Sequence, residues 1–287
     1  MNEPAHSDIP VSGPPEAAAA HPGLPLPLHK PRATFVLLGV IAVVFVLQLI
    51  TDLLAVQVPV FAGDAPLNIL VAYGSEINGL VSLGGYWRLL TAMFLHFSIA
   101  HVVFNGWALL SLGQEVESLY GARRFLLIYF LSGLFSGMVS YLLAPLNWLL
   151  VPSAGASGAI FGIVGADVAF FLTNRRSMGN LGQRQLINLA ILIAINLAIG
   201  FSPGSGINNY AHLGGLVGGL LLGLGLAPRF GLAWDGFQPY VANRRSGRLE
   251  LIVTAGIVLL FLAGIYLGDQ RWAPFRAQLE PLLLLAR

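Results

Sequence analysis

Gly155-Ala156-Ser157-Gly158 opens one apolar run of this chain, and Ala211-His212, with Gly215 and Gly219 behind it, lies inside a later one. Polar side chains in hydrophobic segments are costly in lipid and mark function by default. Ser157 and His212 make sense if they meet, because a serine held against a histidine can be activated as a nucleophile. The glycines suggest how they meet. Gly215 and Gly219 fall within about 60° of His212 around a helix axis. Gly214 and Gly218 repeat the small-xxx-small spacing, which lets two helix backbones approach closely. Packing the segment that starts at Ser157 onto the segment that holds His212 brings the pair within hydrogen-bond reach.

The rest of the chain is built for lipid. Of 287 residues, 56% are hydrophobic and 10% are charged, whereas a soluble domain carries roughly 25% charged residues. Mean hydropathy is +0.77. So few charges cannot cover a water-facing surface. A net charge of +2 gives no footing for nucleic acid. The absence of cysteine removes disulfides, thiolate metal sites and a cysteine nucleophile, and leaves the redox compartment open. Residues 1–33 are rich in Pro and Ala and carry Glu3, Asp8 and Glu16. They lack the pattern of a signal peptide, and the acidic residues argue against a mitochondrial presequence. They read as a disordered cytoplasmic tail.

A span needs about 20 mostly apolar residues. The candidates are 34–56, 94–113, 125–145, 157–174, 185–201, 208–227 and 249–268. Cytoplasmic loops collect Lys and Arg. With the N-terminus inside, the inner segments hold Lys30, Arg32, Arg123, Arg124, Arg175, Arg176, Arg184, Arg229, Arg244, Arg245 and Arg248. The outer ones hold only Arg88, Arg271, Arg276 and Arg287. This bias supports seven spans, with 228–248 a basic cytoplasmic loop. The outer connection 57–93 is apolar and ends near Tyr86-Trp87-Arg88. It reads as an interfacial segment, with Trp87 at headgroup depth. The tail 269–287 is too short to span, and is expected outside the cell, at the interface or against the bundle.

Within the second span, His101 and Asn105 are four residues apart and share one helix face. Both donate hydrogen bonds. His96 falls roughly 140° from His101 on an ideal helix, at the outer end, where loop backbone is its expected partner. Ser157 lies at the start of its span, where the backbone N–H is free of intrahelical partners and is a natural oxyanion donor. Gly155 and Gly158 leave room beside it, and Phe161 lies one turn below. Asp167 is excluded as an orienter of His212, because ten residues of helix place it about 15 Å deeper. It is expected in a structural contact, with Asn188 as its partner. Taken singly, each residue has a plainer explanation, such as a serine bonding a carbonyl one turn back. The conjunction of Ser157, His212, His101 and Asn105 in the outer halves of three spans favours a Ser–His dyad without a carboxylate.

These residues resemble the rhomboid family of intramembrane serine proteases, over roughly 34–227. The resemblance rests on Trp87-Arg88, the series His96, His101 and Asn105, Glu117 and Gly121, Gly155-Ala156-Ser157-Gly158, and Ala211-His212 with Gly215 and Gly219. It implies an all-α polytopic membrane bundle, with a six-helix catalytic core at 34–227 and one appended C-terminal helix at 249–268. It implies Ser157 as nucleophile, His212 as general base and then acid, and His101, Asn105 and the Ser157 N–H as the oxyanion hole. His96, Arg88 and Glu117 would be structural, with Glu117 tying the inner end of the bundle. The implied substrates are single-pass membrane proteins cut in or near their membrane segment, with no metal or cofactor. Phe161 stands where the family often has tyrosine.

Three other readings compete with this one. A non-catalytic escort would be expected to lack Ser157 or His212. A metal or haem site on His96, His101 and His212 lacks the H-E-x-x-H spacing. A transporter predicts an inverted repeat, and the span pattern shows none.

Overall fold

A computed structural model gives the fold of residues 27–55, 67–277 and 279. Most of the tail expected at 1–33, the start of the outer connection and the end of the C-terminal tail lie outside the described residues. The chain opens with α1 (Ala33–Ala55). The outer connection follows as three short helices, α2 (Leu67–Tyr73), α3 (Asn78–Ser82) and α4 (Arg88–Thr91). Helix α5 (Ile99–Ala108) runs through a wide turn at Leu109–Gly113 into α6 (Gln114–Tyr120). Then come α7 (Ala122–Leu143), α8 (Ser157–Thr173), α9 (Arg175–Phe201) and α10 (Asn209–Leu226). A β-hairpin and α11 (Gly247–Trp272) complete the fold.

Helices α1, α7, α9, α10 and α11 are each long and apolar enough to cross a membrane. A sixth span results if Arg88–Phe94 and Ile99–Tyr120, bent by 91°, are counted as one. Helix α8 is shorter, at 17 residues, and is buried almost all round. It forms the centre of the bundle with α7 and α10. Helix α11 packs on α7 and α10, α9 rests against α8, and α1 lies beside α5.

Polarity is inverted relative to a water-soluble domain. His96, Asn105, Glu117, Ser132, Ser136, Ser140 and Asp167 are buried, while Val36, Val43, Leu54, Ile191, Ile195, Leu251 and Leu259 are exposed. Apolar belts of this kind are stable where the solvent is hydrocarbon. The protein is a multi-pass integral membrane protein of the all-α class.

Two charged groups fasten the end of the bundle at which α1 begins. The buried Glu117 carboxylate accepts from the N–H groups of Arg32 (2.8 Å), Ala33 (2.8 Å) and Thr34 (2.7 Å), and from the Thr34 hydroxyl (2.7 Å). It caps the orphan donors at the start of α1 and places negative charge at that helix's positive end. Glu250 of α11 pairs with Arg123 and Arg124 of α7. The basic stretch expected as a loop at 228–248 contains an antiparallel hairpin, β1 (Phe230–Trp234) and β2 (Pro239–Asn243). Asp235 closes its turn by accepting from the Phe237 and Gln238 N–H groups, each at 2.8 Å. After the hairpin, Arg245 donates to the Leu224 and Gly225 carbonyls that end α10.

The opposite end is fastened differently. Arg88 is buried and donates to the carbonyls of Val71 (2.8 Å) and Ser75 (3.2 Å), folding the outer connection onto itself. Its guanidinium also sits over the Trp87 ring, 4.6 Å from the centroid. Helix α11 continues past the expected end of its span to Trp272, which is fully buried against Tyr141. Asp269 accepts from Tyr86 (2.6 Å) and Tyr141 (2.7 Å), joining α11 to the outer connection and to α7.

Glu76 anchors the outer connection at its centre. Its N–H donates to the Ser153 carbonyl (2.9 Å), and the Ser153 N–H donates back to the Glu76 carbonyl (2.7 Å). The carboxyl lies against Gly137, with Ser140 as a hydrogen-bond partner. Burial pushes it up from 4.5 to about 8, and the Ser140 hydrogen bond opposes that shift. The folded protein therefore holds a proton here that the unfolded chain releases. This contribution to stability is fully present below the ordinary carboxylate value and is lost as pH rises through about 8. The thermal midpoint of the wild type in detergent should fall further than that of Glu76→Gln between about pH 5 and about pH 9. Parallel profiles would contradict this assignment.

Candidate active site

Three helices begin at one place. The first residue of α8 is Ser157, His212 lies in the first turn of α10, and His101 lies in the first turn of α5. Helix N-termini carry free N–H groups and partial positive charge. Their convergence makes a site suited to a developing negative charge.

The Ser157 Oγ and His212 Nε2 are 3.0 Å apart. The interhelical glycines produce this distance. A Cβ at Gly215 would collide with the Gly158 carbonyl, and one at Gly219 with the Gly162 carbonyl. On the α7 side, Gly158 and Gly162 leave room for Ser136 and Ser132. Phe161 stacks on the His212 imidazole at 4.4 Å between centroids and 13° between planes, fixing its orientation. His212 Nδ1 is buried without a protein partner among the described residues. Among the described residues, no carboxylate orients the ring.

Opposite the serine stands a pair of donors. Gly155 has φ of 131°, a conformation that only glycine adopts readily. A Cβ there would fall 2.8 Å from His101 Nε2 and 3.5 Å from Asn105 Nδ2. Both side chains therefore lie along the backbone that leads into Ser157. Asn105 Nδ2 is buried and has no partner among the described residues. An unsatisfied buried donor beside a serine is costly unless a ligand atom supplies the acceptor.

His96 is placed differently from the sequence reading. It was expected inside one span with His101, on another face. The chain instead bends between Phe94 and Ile99, and Ser98 caps α5 by accepting from the His101 N–H (3.2 Å). The bend brings the two imidazoles together, 5.0 Å apart and edge to face. Gln48 of α1 holds the His96 main chain from both sides, at 3.2 and 3.3 Å. The Phe94 backbone lies beside the His96 ring. Among the described residues, no three His, Asp or Glu side chains converge as metal ligands.

Other positions resolve as follows. Trp87 is half exposed at the rim of the outer connection. Arg88 and Glu117 serve the fold rather than the site, one at each end of the bundle. Asp167 is fully buried, deep below Ser157. Its polar neighbours are Gln185 of α9 and Glu115 of α6. Gln185 donates to Glu115 at 3.3 Å, and neither Asp167 oxygen has a hydrogen-bond partner among the described residues, so the contact expected with Asn188 is not formed. The sequence reading did not single out Gln48, Glu76, Ser98 or Asn208. Two of these had a visible signal, since Ser98 and Asn208 are cap-type residues directly before helices.

Residues 83–229, just over half of the chain, match the family model described as Rhomboid domain. Rhomboid protease GluP of Bacillus subtilis (strain 168) is 44% identical over 174 residues, 59% of this chain and 32% of that one. Putative rhomboid protease YdcA of the same organism is 33% identical over 177 residues, 60% of this chain and 85% of that one. RHOMBOID-like protein 6, mitochondrial, of Arabidopsis thaliana is 35% identical over 187 residues, 63% of this chain and 59% of that one. The matches thus span about a third of GluP and under two thirds of the Arabidopsis protein. The chain belongs to the rhomboid family. The matched segment contains Ser157, His212, His101, Asn105, His96, Gly155 and Phe161, while Gln48 lies before it.

Helix contact at Gly215 should be intolerant of even one methyl group. Gly215→Ala is expected to lower stability by about 1–3 kcal/mol or more, read as a drop in thermal midpoint in detergent. An unchanged midpoint would mean that α8 and α10 separate without cost.

Proposed function

We propose that this protein is an intramembrane serine endopeptidase that cleaves single-pass membrane proteins in or near their membrane segment. The observation that carries the reading is the 3.0 Å hydrogen bond between Ser157 Oγ and His212 Nε2, formed between two helices of a membrane bundle. Ser157 Oγ attacks the scissile carbonyl carbon while its proton passes to His212 Nε2. The carbonyl oxygen becomes an oxyanion, held by the Ser157 N–H, Asn105 Nδ2 and His101. As the tetrahedral intermediate collapses, His212 returns the proton to the leaving amine. Water then attacks the acyl-enzyme, gives its proton to His212, and the serine is released. A dyad suffices because the stacked Phe161 orients the imidazole where a carboxylate would otherwise do so. His96 and Gln48 support the site from behind His101.

The loop charges support an orientation with the N-terminus in the cytoplasm and the serine towards the outer face of a bacterial inner membrane. Water enters from that face, in keeping with the position of Ser157 and His212 at helix starts. A substrate helix hides its carbonyls in its own hydrogen bonds, so it must unwind locally before attack. Substrates with Gly or Pro near the cut unwind with less cost.

The test is cleavage of a single-pass membrane substrate by purified protein in liposomes. Ser157→Ala and His212→Ala should abolish it, Asn105→Ala should slow it about 10²–10³-fold, and a chelator should leave it unchanged. Replacing Gly and Pro near the cut by Leu should slow it further. Binding without cleavage by the wild type would favour an escort, and loss of cleavage in chelator would favour a metal enzyme.

A further inference from the structure

The Ser157–His212 distance depends on how the start of α10 sits against the loop that leads into α8. One residue touches both. Asn208 is the cap of α10, and its side-chain oxygen accepts from the Ala211 N–H at 3.1 Å. Its backbone carbonyl accepts from the N–H of His212 itself, also at 3.1 Å. The other end of the same amide points away from the helix. Asn208 Nδ2 donates to Ser140 Oγ of α7 at 2.7 Å and to Ser153 Oγ at 3.2 Å. Ser153 lies four residues before Ser157 and is paired through its backbone with Glu76 of the outer connection. One amide therefore joins the helix of the histidine, the loop of the serine and the outer end of α7.

The glycine stripe sets how closely α8 and α10 approach, but a smooth face permits sliding along the helix axes. The Asn208 amide opposes that motion at the end where the reacting atoms lie. We propose that Asn208 is a positioning residue, which holds His212 in register with Ser157 by clamping the start of α10 to Ser153 and Ser140. This rests on the protease reading above. Asn208 touches neither substrate nor the reacting atoms, so it acts through His212. Its effect belongs in kcat, because misregister of about 1 Å between reacting groups costs up to about 10²-fold.

Two substitutions separate the clamp from the cap. Asn208→Ser retains a good capping oxygen but is too short to reach Ser140 and Ser153. Asn208→Ala loses both functions. Ser153→Ala removes one end of the clamp and leaves the cap intact. The experiment measures kcat and KM for the liposome substrate, and in parallel the rate at which a fluorophosphonate probe labels Ser157. It uses the wild type, these three variants and the Asn208→Ala/Ser153→Ala double variant.

The expected result is a loss of about 10- to 100-fold in kcat and in labelling rate for both Asn208 variants, with KM unchanged. The double variant should lose no more than Asn208→Ala alone, as for two partners of one interaction. Wild-type rates in Asn208→Ser would overturn the proposal and leave Asn208 as a helix cap only. So would fully additive losses in the double variant, or a change confined to KM. If Asn208→Ala does not fold, Asn208→Ser and Ser153→Ala carry the test. If the wild type labels but does not cleave, the protease reading fails while the labelling rates still decide the clamp. If the wild type neither labels nor cleaves, both fall.

Discussion

Close backbone contact between α8 and α10 is the constraint on which the site depends. Helices with ordinary side chains pack with axes about 8–10 Å apart. Ser157 and His212 have short reach, and at such spacing they would not meet at a helix start. Gly215 and Gly219 seat directly on the Gly158 and Gly162 carbonyls, so α10 presents no side chain there that would keep the axes apart. In lipid there is no hydrophobic force to draw helices together, so van der Waals packing of this kind is itself the driving term. The same glycines that stabilise the bundle therefore set the geometry of the site.

The membrane determines the rest of the arrangement. Polar groups gather where they satisfy each other or await a ligand. Glu117 closes the start of α1 at one end of the bundle, and Arg88, Glu76 and Asp269 close the other end. Between these ends the core helix α8 is almost entirely buried. Among the described residues, buried polar atoms without a protein partner occur in several parts of the bundle, at Asp167, Tyr129 and His96 as well as at the site. Such groups are costly in a static fold. Two of them, Asn105 Nδ2 and His212 Nδ1, belong to side chains that line the approach to Ser157 or touch it.

Much of this was legible in the sequence because hydropathy and small-residue spacing report directly on membrane helices. A helix lies in each of the seven apolar stretches, and the glycine stripe behind His212 faces the helix of Ser157. The sequence misled where it was read as ideal helix. His96 and His101 were placed on separate faces of one span, yet the chain bends by 91° between their segments. The rings meet as a result. Capping by Ser98 causes α5 to begin late, and the signal lay in that serine. The contact expected between Asp167 and Asn188 assumed a rotation of α9 about its axis, which periodicity in a weakly amphipathic helix does not fix. The hairpin after α10 was hidden by the basic residues around it. Glu76 acts through contacts between segments far apart in the chain, so no local pattern marked it; the cap role of Asn208 had a local signal, but its contacts with Ser140 and Ser153 did not.

The central claim is that His212 activates Ser157 within the membrane. The most direct measurement maps the site of covalent reaction. Wild type and His212→Ala would be treated with a fluorophosphonate in liposomes, digested and analysed by mass spectrometry. The expected result is a single adduct on Ser157 in the wild type and none above background in His212→Ala. An adduct at another residue, or one on Ser157 that forms equally fast without the histidine, would contradict it.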